Sequence, residues 1–353
     1  MSRFLTPKYA GLATYIPGEQ PKGIRYIKLN TNESPFPPSP KVAGAINLSV
    51  IDGLKLYSDP TAGKIRKAIA DFYGLNENEV VATNGSDEAL MLAYFALCGG
   101  GGDIVAPDVS YGFYPVLAGL LGLPGETIPL KTDFTVDVEA FCKTDKHIVL
   151  ANPNAPTGIA LTLAEMEKII SSNLDRVVIV DEAYVDFGGQ SCIPLIRKYD
   201  NLIVVQTFSK SRSLAGARLG FAAGQASLMS DLDRVRDMMN PYNINSMTEL
   251  AGIAAMEDKS YFEACCAKII ENRGFLSKSL AALGFEVLPS STNFVFARHN
   301  RIPGKVLYER LKAEGILVRH FDKKRIEDYN RISVGSRGDM ETLIKKLSEI
   351  LLQ

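Results

Sequence analysis

Tryptophan is absent from the sequence, and histidine and cysteine are scarce. The 353 residues include three histidines, whose spacing does not match that of metal ligands, so we expect no metal site. The five cysteines are scattered and odd in number, which is typical of reduced, buried residues in a cytoplasmic protein. The apolar runs are too short to cross a membrane, and the first residues have no apolar core of the kind that directs export. We therefore expect a cytoplasmic protein without a membrane partner.

An excess of either charge is also missing, as are the common nucleotide-binding motifs. The net charge is −1, which argues against nucleic acid or an anionic membrane as a partner. The sequence contains neither a Walker motif nor a glycine-rich dinucleotide fingerprint, which argues against a nicotinamide dehydrogenase. Hydrophobic residues make up 46% of the chain and charged residues 22%, as in ordinary globular proteins.

The length and the order of the predicted elements indicate a large lobe followed by a smaller one. Residues 1–40 are rich in proline and glycine and are predicted to form an extended arm that packs on the small domain or on a partner. Residues 41–240 alternate strands with helices, a pattern that predicts an α/β domain with a mainly parallel sheet covered on both faces. Residues 241–353 are predicted to form a small α+β domain.

Polar side chains follow the predicted strands of the large domain at their carboxyl ends. They are Asn154, Asp181, Tyr184, Ser209 and Lys210. In sheets of this kind the ligand site lies beyond the carboxyl ends of the strands, so we expect these side chains to meet in one crevice.

Lys210 lies in the stretch VVQTFSKSRSLAGARLGF, just after an apolar strand. Ser209 is its neighbour and Arg218 follows eight residues later, among small residues. Burial and nearby positive charge lower the pKa of a lysine, which frees its amine for Schiff-base chemistry. The competing interpretation is an ordinary surface lysine. Asp181 lies at the end of the buried strand in DRVVIVDEAYVDF. It favours the Schiff-base interpretation, because a carboxylate there suits a pyridinium nitrogen.

Three further groups of residues suit an anionic, planar ligand. The turn before Ser86 and Asp87 opens a helix, whose free N–H groups suit a phosphate. Tyr111 follows a strand end and suits stacking on a planar ring, whereas we expect Tyr114 to pack in the core. Arginines at 319 and 331 lie in or beside strands of the small domain, where their guanidinium groups suit a carboxylate or phosphate.

Together these motifs resemble those of the fold-type I pyridoxal-phosphate aminotransferases. NPNAPTG, DEAYVDF, FSKSRSLAGARLG and NRISVGSR occur in the order and spacing of that family, and the resemblance covers almost the whole chain. LNTNESPFPPSP, YSDP and NGSDEAL resemble its histidinol-phosphate aminotransferase branch. The resemblance implies a large α/β domain, a small C-terminal domain, pyridoxal 5'-phosphate as cofactor, and a homodimer with sites at the subunit boundary.

The resemblance also implies roles for individual residues. Lys210 matches the lysine that bonds covalently to the cofactor and moves the proton, Asp181 the partner of the pyridine nitrogen, and Tyr184 the ligand of the phenolic oxygen O3'. Tyr111 matches the stacking ring, and the expected phosphate ligands are Ser86, Asp87, Ser209, Arg218 and, from the partner subunit, Tyr57. Arg331 matches the arginine that binds the anionic end of the substrate. Further substrate contacts are expected from Arg319, Asn32 and Tyr15.

The sequence departs from the family at one position. Ala155 stands where the family has an asparagine before Pro-Thr-Gly, so we expect Asn154 to supply the amide contact to O3'. The implied reaction is ping-pong transamination between glutamate and imidazole-acetol phosphate in histidine biosynthesis. An aromatic amino-acid aminotransferase and a threonine-phosphate decarboxylase remain alternatives with the same cofactor. A cofactor-binding regulator is disfavoured because no basic DNA-binding segment precedes the fold.

Overall fold

The structure is a computed structural model that describes residues 2–21, 23, 26–98 and 102–352. The glycine run 99–102, predicted to be a loop, lies outside these residues except for its last glycine. The strands are β1 (Ile27–Lys28), β2 (Val80–Thr83), β3 (Ile104–Pro107), β4 (Thr127–Ile128), β5 (His147–Ala151), β6 (Val178–Asp181), β7 (Leu202–Thr207), β8 (Gly220–Gly224), β9 (Phe285–Val287), β10 (Phe294–His299), β11 (Ile316–Leu317), β12 (Arg319–His320) and β13 (Asn330–Ser333).

The helices connect and cover these strands. They are α1 (Pro7–Ala10), α2 (Pro40–Ala45), α3 (Leu48–Gly53), α4 (Gly63–Tyr73), α5 (Ser86–Cys98), α6 (Tyr114–Leu121), α7 (Val138–Lys143), α8 (Leu163–Ser171), α9 (Ala226–Met239), α10 (Ser246–Glu257), α11 (Lys259–Ala282), α12 (Gly304–Ala313) and α13 (Arg337–Leu351). Local sequence explains several ends: Gly74 ends α4 in the left-handed conformation, and reciprocal Thr162–Glu165 hydrogen bonds cap α8.

The central sheet has the strand order β2-β8-β7-β6-β5-β3-β4 in the described part of the chain. Strands β3 to β7 pair in parallel, whereas β8 runs antiparallel to both of its neighbours. Adjacent residues of one strand enter different cores: Ile148 packs on one face of the sheet and Val149 on the other. A sheet buried on both faces explains why its strands read as continuous apolar runs. The predicted α/β class with a mainly parallel sheet is confirmed.

A second, antiparallel sheet has the order β12-β13-β10-β9 within the described residues. Its apolar residues join those of the long helix α11 and the last helix α13 in a third core. The N-terminal segment belongs to this part of the molecule, because β1 pairs in parallel with β11. Residues after β1 then cross towards the carboxyl ends of the central strands. In the residues that the structure describes, no helix is both long and apolar enough to span a membrane.

Candidate active site

A cavity of about 980 Å³ opens beyond the carboxyl ends of the central strands. Its walls come from the central sheet, from the N-terminal residues 12–20 and from the segment that begins with β12. Most of the predicted site residues line it: Tyr15, Asn32, Ser86, Asp87, Tyr111, Asp181, Tyr184, Ser209, Lys210, Arg218, Arg319 and Arg331. The structure therefore brings together side chains that lie more than three hundred positions apart in the sequence.

Lys210 occupies the centre of this cavity, three residues after β7 ends. Its Nζ donates a hydrogen bond to the backbone oxygen of Thr31 at 3.1 Å. Burial, and after it the positive charge of Arg331, lower the pKa of this amine to about 8. A lysine with such a pKa is partly unprotonated near neutral pH, which a nucleophilic amine requires.

Asp181 ends the neighbouring strand β6 and is 4% exposed. Its Oδ2 accepts a hydrogen bond from the Tyr114 hydroxyl at 2.8 Å, and its Oδ1 accepts one from the backbone N–H of Ala183 at 3.1 Å. Burial raises the pKa of Asp181 to about 6, against these two hydrogen bonds, which lower it. The carboxylate is thus held in place and remains largely ionised at neutral pH.

The next residue along the chain shows that such burial alone does not make a site. Glu182 is also buried, and burial raises its pKa to about 7. Its carboxylate, however, accepts hydrogen bonds from Ser191 at 2.6 Å and Gln206 at 2.8 Å, away from the residues that line the cavity. Glu182 therefore stabilises the structure around the strand ends.

A further part of the cavity wall, at the start of α5, forms a cradle that suits an anion. Ser86 begins α5, and the preceding Gly85 has a φ of +82°. A side-chain carbon at Gly85 would lie 2.7 Å from the guanidinium of Arg218, so a larger residue here would push the guanidinium away from the turn. Ser209 is buried and also lines the cavity, and its hydroxyl accepts a hydrogen bond from the Thr207 hydroxyl. Free helix N–H groups, a hydroxyl and a guanidinium together suit a phosphate.

Arg331 of β13 provides a second positive group on the small-domain side. Its Nη2 donates to the backbone oxygen of Asn30 at 3.1 Å, and its guanidinium lies between the rings of Phe294 and Phe321, at 5.3 Å and 5.6 Å from their centroids. Its buried Nε has no hydrogen-bond partner among the described residues. Burial lowers the pKa of Arg331, the direction expected for a buried cation without a carboxylate. An anion entering the cavity would supply that carboxylate or its equivalent.

Arg319 and Tyr15 join the N-terminal segment to the cavity. The guanidinium of Arg319 donates to the backbone oxygens of Ile16 and Pro17 at 3.0 Å and 3.1 Å. The ring of Tyr15 packs edge-on against Tyr111, with centroids 5.7 Å apart. The N-terminal segment thus forms one wall of the cavity, and Arg319 holds that wall in place.

The chain is similar to known proteins over almost its whole length. The family model of the aminotransferases of class I and II matches residues 24–347. The chain belongs to this aminotransferase family. Curated relatives include histidinol-phosphate aminotransferases of Pseudomonas putida (strain W619) and Clostridium beijerinckii (strain ATCC 51743 / NCIMB 8052), both 46% identical; the matches cover 99% of this chain and 100% and 98% of those proteins.

A solved structure supports the fold of this aminotransferase. Histidinol-phosphate aminotransferase from Sinorhizobium meliloti in complex with pyridoxal-5'-phosphate superposes with a TM-score of 0.88 at 24% identity. The match covers 100% of this chain and 98% of that chain. At this identity the likeness shows the fold alone.

Two of the predicted site residues of this aminotransferase lie outside the residues that line the cavity. The amide of Asn154 is buried and donates to the Val109 oxygen and to Thr157, while its oxygen accepts from Ser110 at 2.8 Å. Ala155 lines the cavity instead. Tyr57 is 85% exposed and stacks on Tyr242 with centroids 4.7 Å apart, on the outer surface of the chain.

Sequence reasoning missed part of the aminotransferase site. We expected Tyr114 to pack in the core; it does so, but its hydroxyl also bonds the Asp181 carboxylate. The backbone oxygen of Thr31 was not anticipated as the acceptor of the Lys210 amine. A buried tyrosine hydroxyl needs a partner, and this rule was the available signal for Tyr114.

Proposed function

We propose that this aminotransferase uses pyridoxal 5'-phosphate to transfer an amino group between glutamate and imidazole-acetol phosphate, forming histidinol phosphate in histidine biosynthesis. The proposal rests on one observation: Lys210, Asp181 and Arg331 line the same cavity. The wall of that cavity near Ser86 and Arg218 suits a phosphate. The curated relatives named as histidinol-phosphate aminotransferases, similar over the full length, support the choice of substrate.

The residues present fit the cofactor. The cradle of Gly85, Ser86, Ser209 and Arg218 suits its phosphate, and Lys210 suits its aldehyde. Asp181 would pair with the pyridine nitrogen and Tyr184 would bond its phenolic oxygen. Two observations support this fit: a Cβ at Gly85 would meet the Arg218 guanidinium, so only glycine leaves this space open, and Asp181 is a buried, ionisable carboxyl group.

When bound, the cofactor withdraws electrons from the substrate carbon so that its proton becomes removable. Lys210 takes up that proton and returns it, because its amine has a pKa of about 8 and so exchanges protons readily near neutral pH. Asp181 would keep a negative charge in the buried cavity and so stabilise a positive charge on the pyridine nitrogen of the cofactor. The aromatic wall formed by Tyr111 and Tyr15 limits access of water.

Arg331 would bind the anionic group of each substrate in turn. Glutamate presents a carboxylate, and histidinol phosphate presents a phosphate. A guanidinium donates hydrogen bonds to either group, since each offers two acceptor oxygens at the spacing of its N–H groups. In the described part of the chain the guanidinium of Arg331 donates one hydrogen bond, from Nη2 to Asn30, so it retains further donors for this contact. Arg319 lies on the same wall and is a candidate for a second contact after release from the N-terminal carbonyls.

A homodimer belongs to the proposal. Large apolar side chains on and after α3 are exposed, including Leu48 at 79%, Leu56 at 70% and Tyr57 at 85%. Such a cluster on a single chain favours burial against a second copy. Tyr57 would then reach the phosphate cradle of the partner. Light scattering of the purified protein tests this: a monomeric mass at micromolar concentration would contradict it.

The cytoplasmic location stays a prediction.

Substrate preference is tested by measuring turnover with glutamate as the amino donor and either imidazole-acetol phosphate or phenylpyruvate as the acceptor. We expect a kcat/KM about tenfold or more higher for imidazole-acetol phosphate. Both acceptors offer Arg331 an anionic group, but the phosphate carries more negative charge and more acceptor oxygens than the carboxylate of phenylpyruvate. A higher kcat/KM for phenylpyruvate would assign the chain to the aromatic aminotransferases instead.

A further inference from the structure

Asn32 has an unusual backbone conformation, and both its backbone and its side chain form hydrogen bonds. Its φ is +56°, in the left-handed region that non-glycine residues rarely adopt, and it is 1% exposed. It follows β1 by four residues and lies where the N-terminal segment reaches the cavity. Strain of this kind persists only where the surroundings hold the residue in place.

Residues of the second sheet hold Asn32. Its backbone N–H donates to the Ser333 hydroxyl at 2.9 Å, and that hydroxyl donates to Asn32 Oδ1 at 2.9 Å. The side-chain amide of Asn293 donates to the backbone oxygen of Asn32 at 2.9 Å. Because Oδ1 accepts the hydrogen bond from Ser333, the Nδ2 group faces away from Ser333.

On that other side lies Tyr184, whose hydroxyl oxygen accepts a hydrogen bond from Asn32 Nδ2 at 3.0 Å. Among the described residues this is the only hydrogen bond of the Tyr184 hydroxyl, and its oxygen accepts the bond through a lone pair. The hydroxyl proton of Tyr184 is therefore left to donate into the cavity. The adjacent residue Thr31 accepts from Lys210 at 3.1 Å, so this short segment touches both side chains.

We propose that Asn32 is a positioning residue on the cofactor side: its amide fixes the Tyr184 hydroxyl as a hydrogen-bond donor to the phenolic oxygen of pyridoxal phosphate. This inference rests on the proposed function and differs from the expectation that Asn32 binds substrate. Ala155 makes the role more important, because its methyl group lines the cavity and cannot donate a hydrogen bond to that oxygen. A donor to the phenolic oxygen stabilises its negative charge and lowers the pKa of the lysine-bound cofactor.

The link also joins the two lobes. Tyr184 follows the central strand β6, whereas Ser333 belongs to β13 and Asn293 directly precedes β10 of the second sheet. A movement of the second sheet would shift Asn32 and, through it, the donor at the cofactor. The position of the small domain is thereby coupled to the proton affinity of the cofactor.

The test compares the pKa of the bound cofactor, read from its absorbance against pH, in the wild-type protein, Asn32→Gly, Tyr184→Phe and the double variant. Glycine suits the positive φ of Asn32, so the fold is retained. We expect Asn32→Gly to raise this pKa by about one unit, the size expected for a weakened hydrogen bond to a charged oxygen. Because Asn32 acts through Tyr184, the double variant should match Tyr184→Phe alone.

Ser34→Ala, in the same segment but outside the residues that line the cavity, is the control and should leave this pKa unchanged. Asn32→Asp, which offers only acceptor oxygens, should raise the pKa at least as much as Asn32→Gly. Additive shifts in the double variant, or no shift in Asn32→Gly and a raised KM instead, would overturn the inference in favour of direct substrate contact. Failure of the wild-type protein to bind pyridoxal phosphate would instead refute the proposed function.

Discussion

The hydrogen bond from Tyr114 to Asp181 determines how much of that buried carboxyl group is ionised at neutral pH. At a pKa of about 6, Asp181 is about 90% ionised at pH 7. Tyr114→Phe removes one of its two hydrogen bonds, the 2.8 Å contact to Oδ2. A hydrogen bond to a charged group contributes about 1.5 to 3 kcal/mol, which corresponds to about one to two pKa units. We therefore expect the pKa to rise to about 7 to 8 and the ionised fraction at pH 7 to fall to between about 50% and about 10%.

This shift is measurable in the cofactor-free protein by NMR titration of aspartate labelled with ¹³C at the carboxyl carbon. The label leaves out the neighbouring Glu182, and Asp181→Asn identifies the relevant signal. Tyr94→Phe is the matched control, because Tyr94 is buried in the same core but does not hydrogen-bond Asp181 in the described residues. An unchanged Asp181 pKa in Tyr114→Phe, or an equal rise in Tyr94→Phe, would refute the reasoning.

The remaining predictions concern three charged side chains. Asp181→Asn should keep the cofactor bound but slow proton removal by about two orders of magnitude or more, measured as the single-turnover rate constant, and an unchanged rate constant would contradict the assigned role. Arg331→Gln should raise the pKa of Lys210 above about 8, because a positive charge that lowers it is removed. The cofactor-free protein should then react more slowly with pyridoxal phosphate at pH 7.5, where more of the amine is protonated, while Arg331→Lys should react at the wild-type rate. Arg319→Ala should increase proteolysis of residues 12–20 about tenfold, since two hydrogen bonds to that segment are lost; equal protection would show that the segment is held by other contacts.

The parts of this molecule that could be predicted from its sequence are those set by local pattern. Apolar runs ending in polar residues predicted both the central sheet and the position of Asp181 and Lys210 at its edge, since parallel strands place their carboxyl ends together. The apolar stretch VVAT suits a buried strand, and the structure has β2 at Val80–Thr83. Glycine suits the end of a helix, and Gly74 ends α4.

Contacts between distant parts of the chain could not be predicted in the same way. The hydrogen bonds of Asn32 with Ser333 join residues 301 positions apart, and no local pattern indicates such a pairing. The grip of Arg319 on the N-terminal segment is of the same kind, over 302 and 303 positions. A sequence shows which side chains carry charge or hydrogen-bonding groups, but tertiary packing decides which partner each one meets.

The central claim is that Lys210 is the residue that bonds covalently to the cofactor. Reduction of the pyridoxal phosphate-loaded protein with borohydride, followed by digestion and mass spectrometry of the peptides, tests it most directly, with Lys210→Ala as the control. We predict a single modified peptide that carries the reduced cofactor on Lys210 and no modified peptide from the variant. Stoichiometric modification of a different lysine in the wild-type protein would contradict the account.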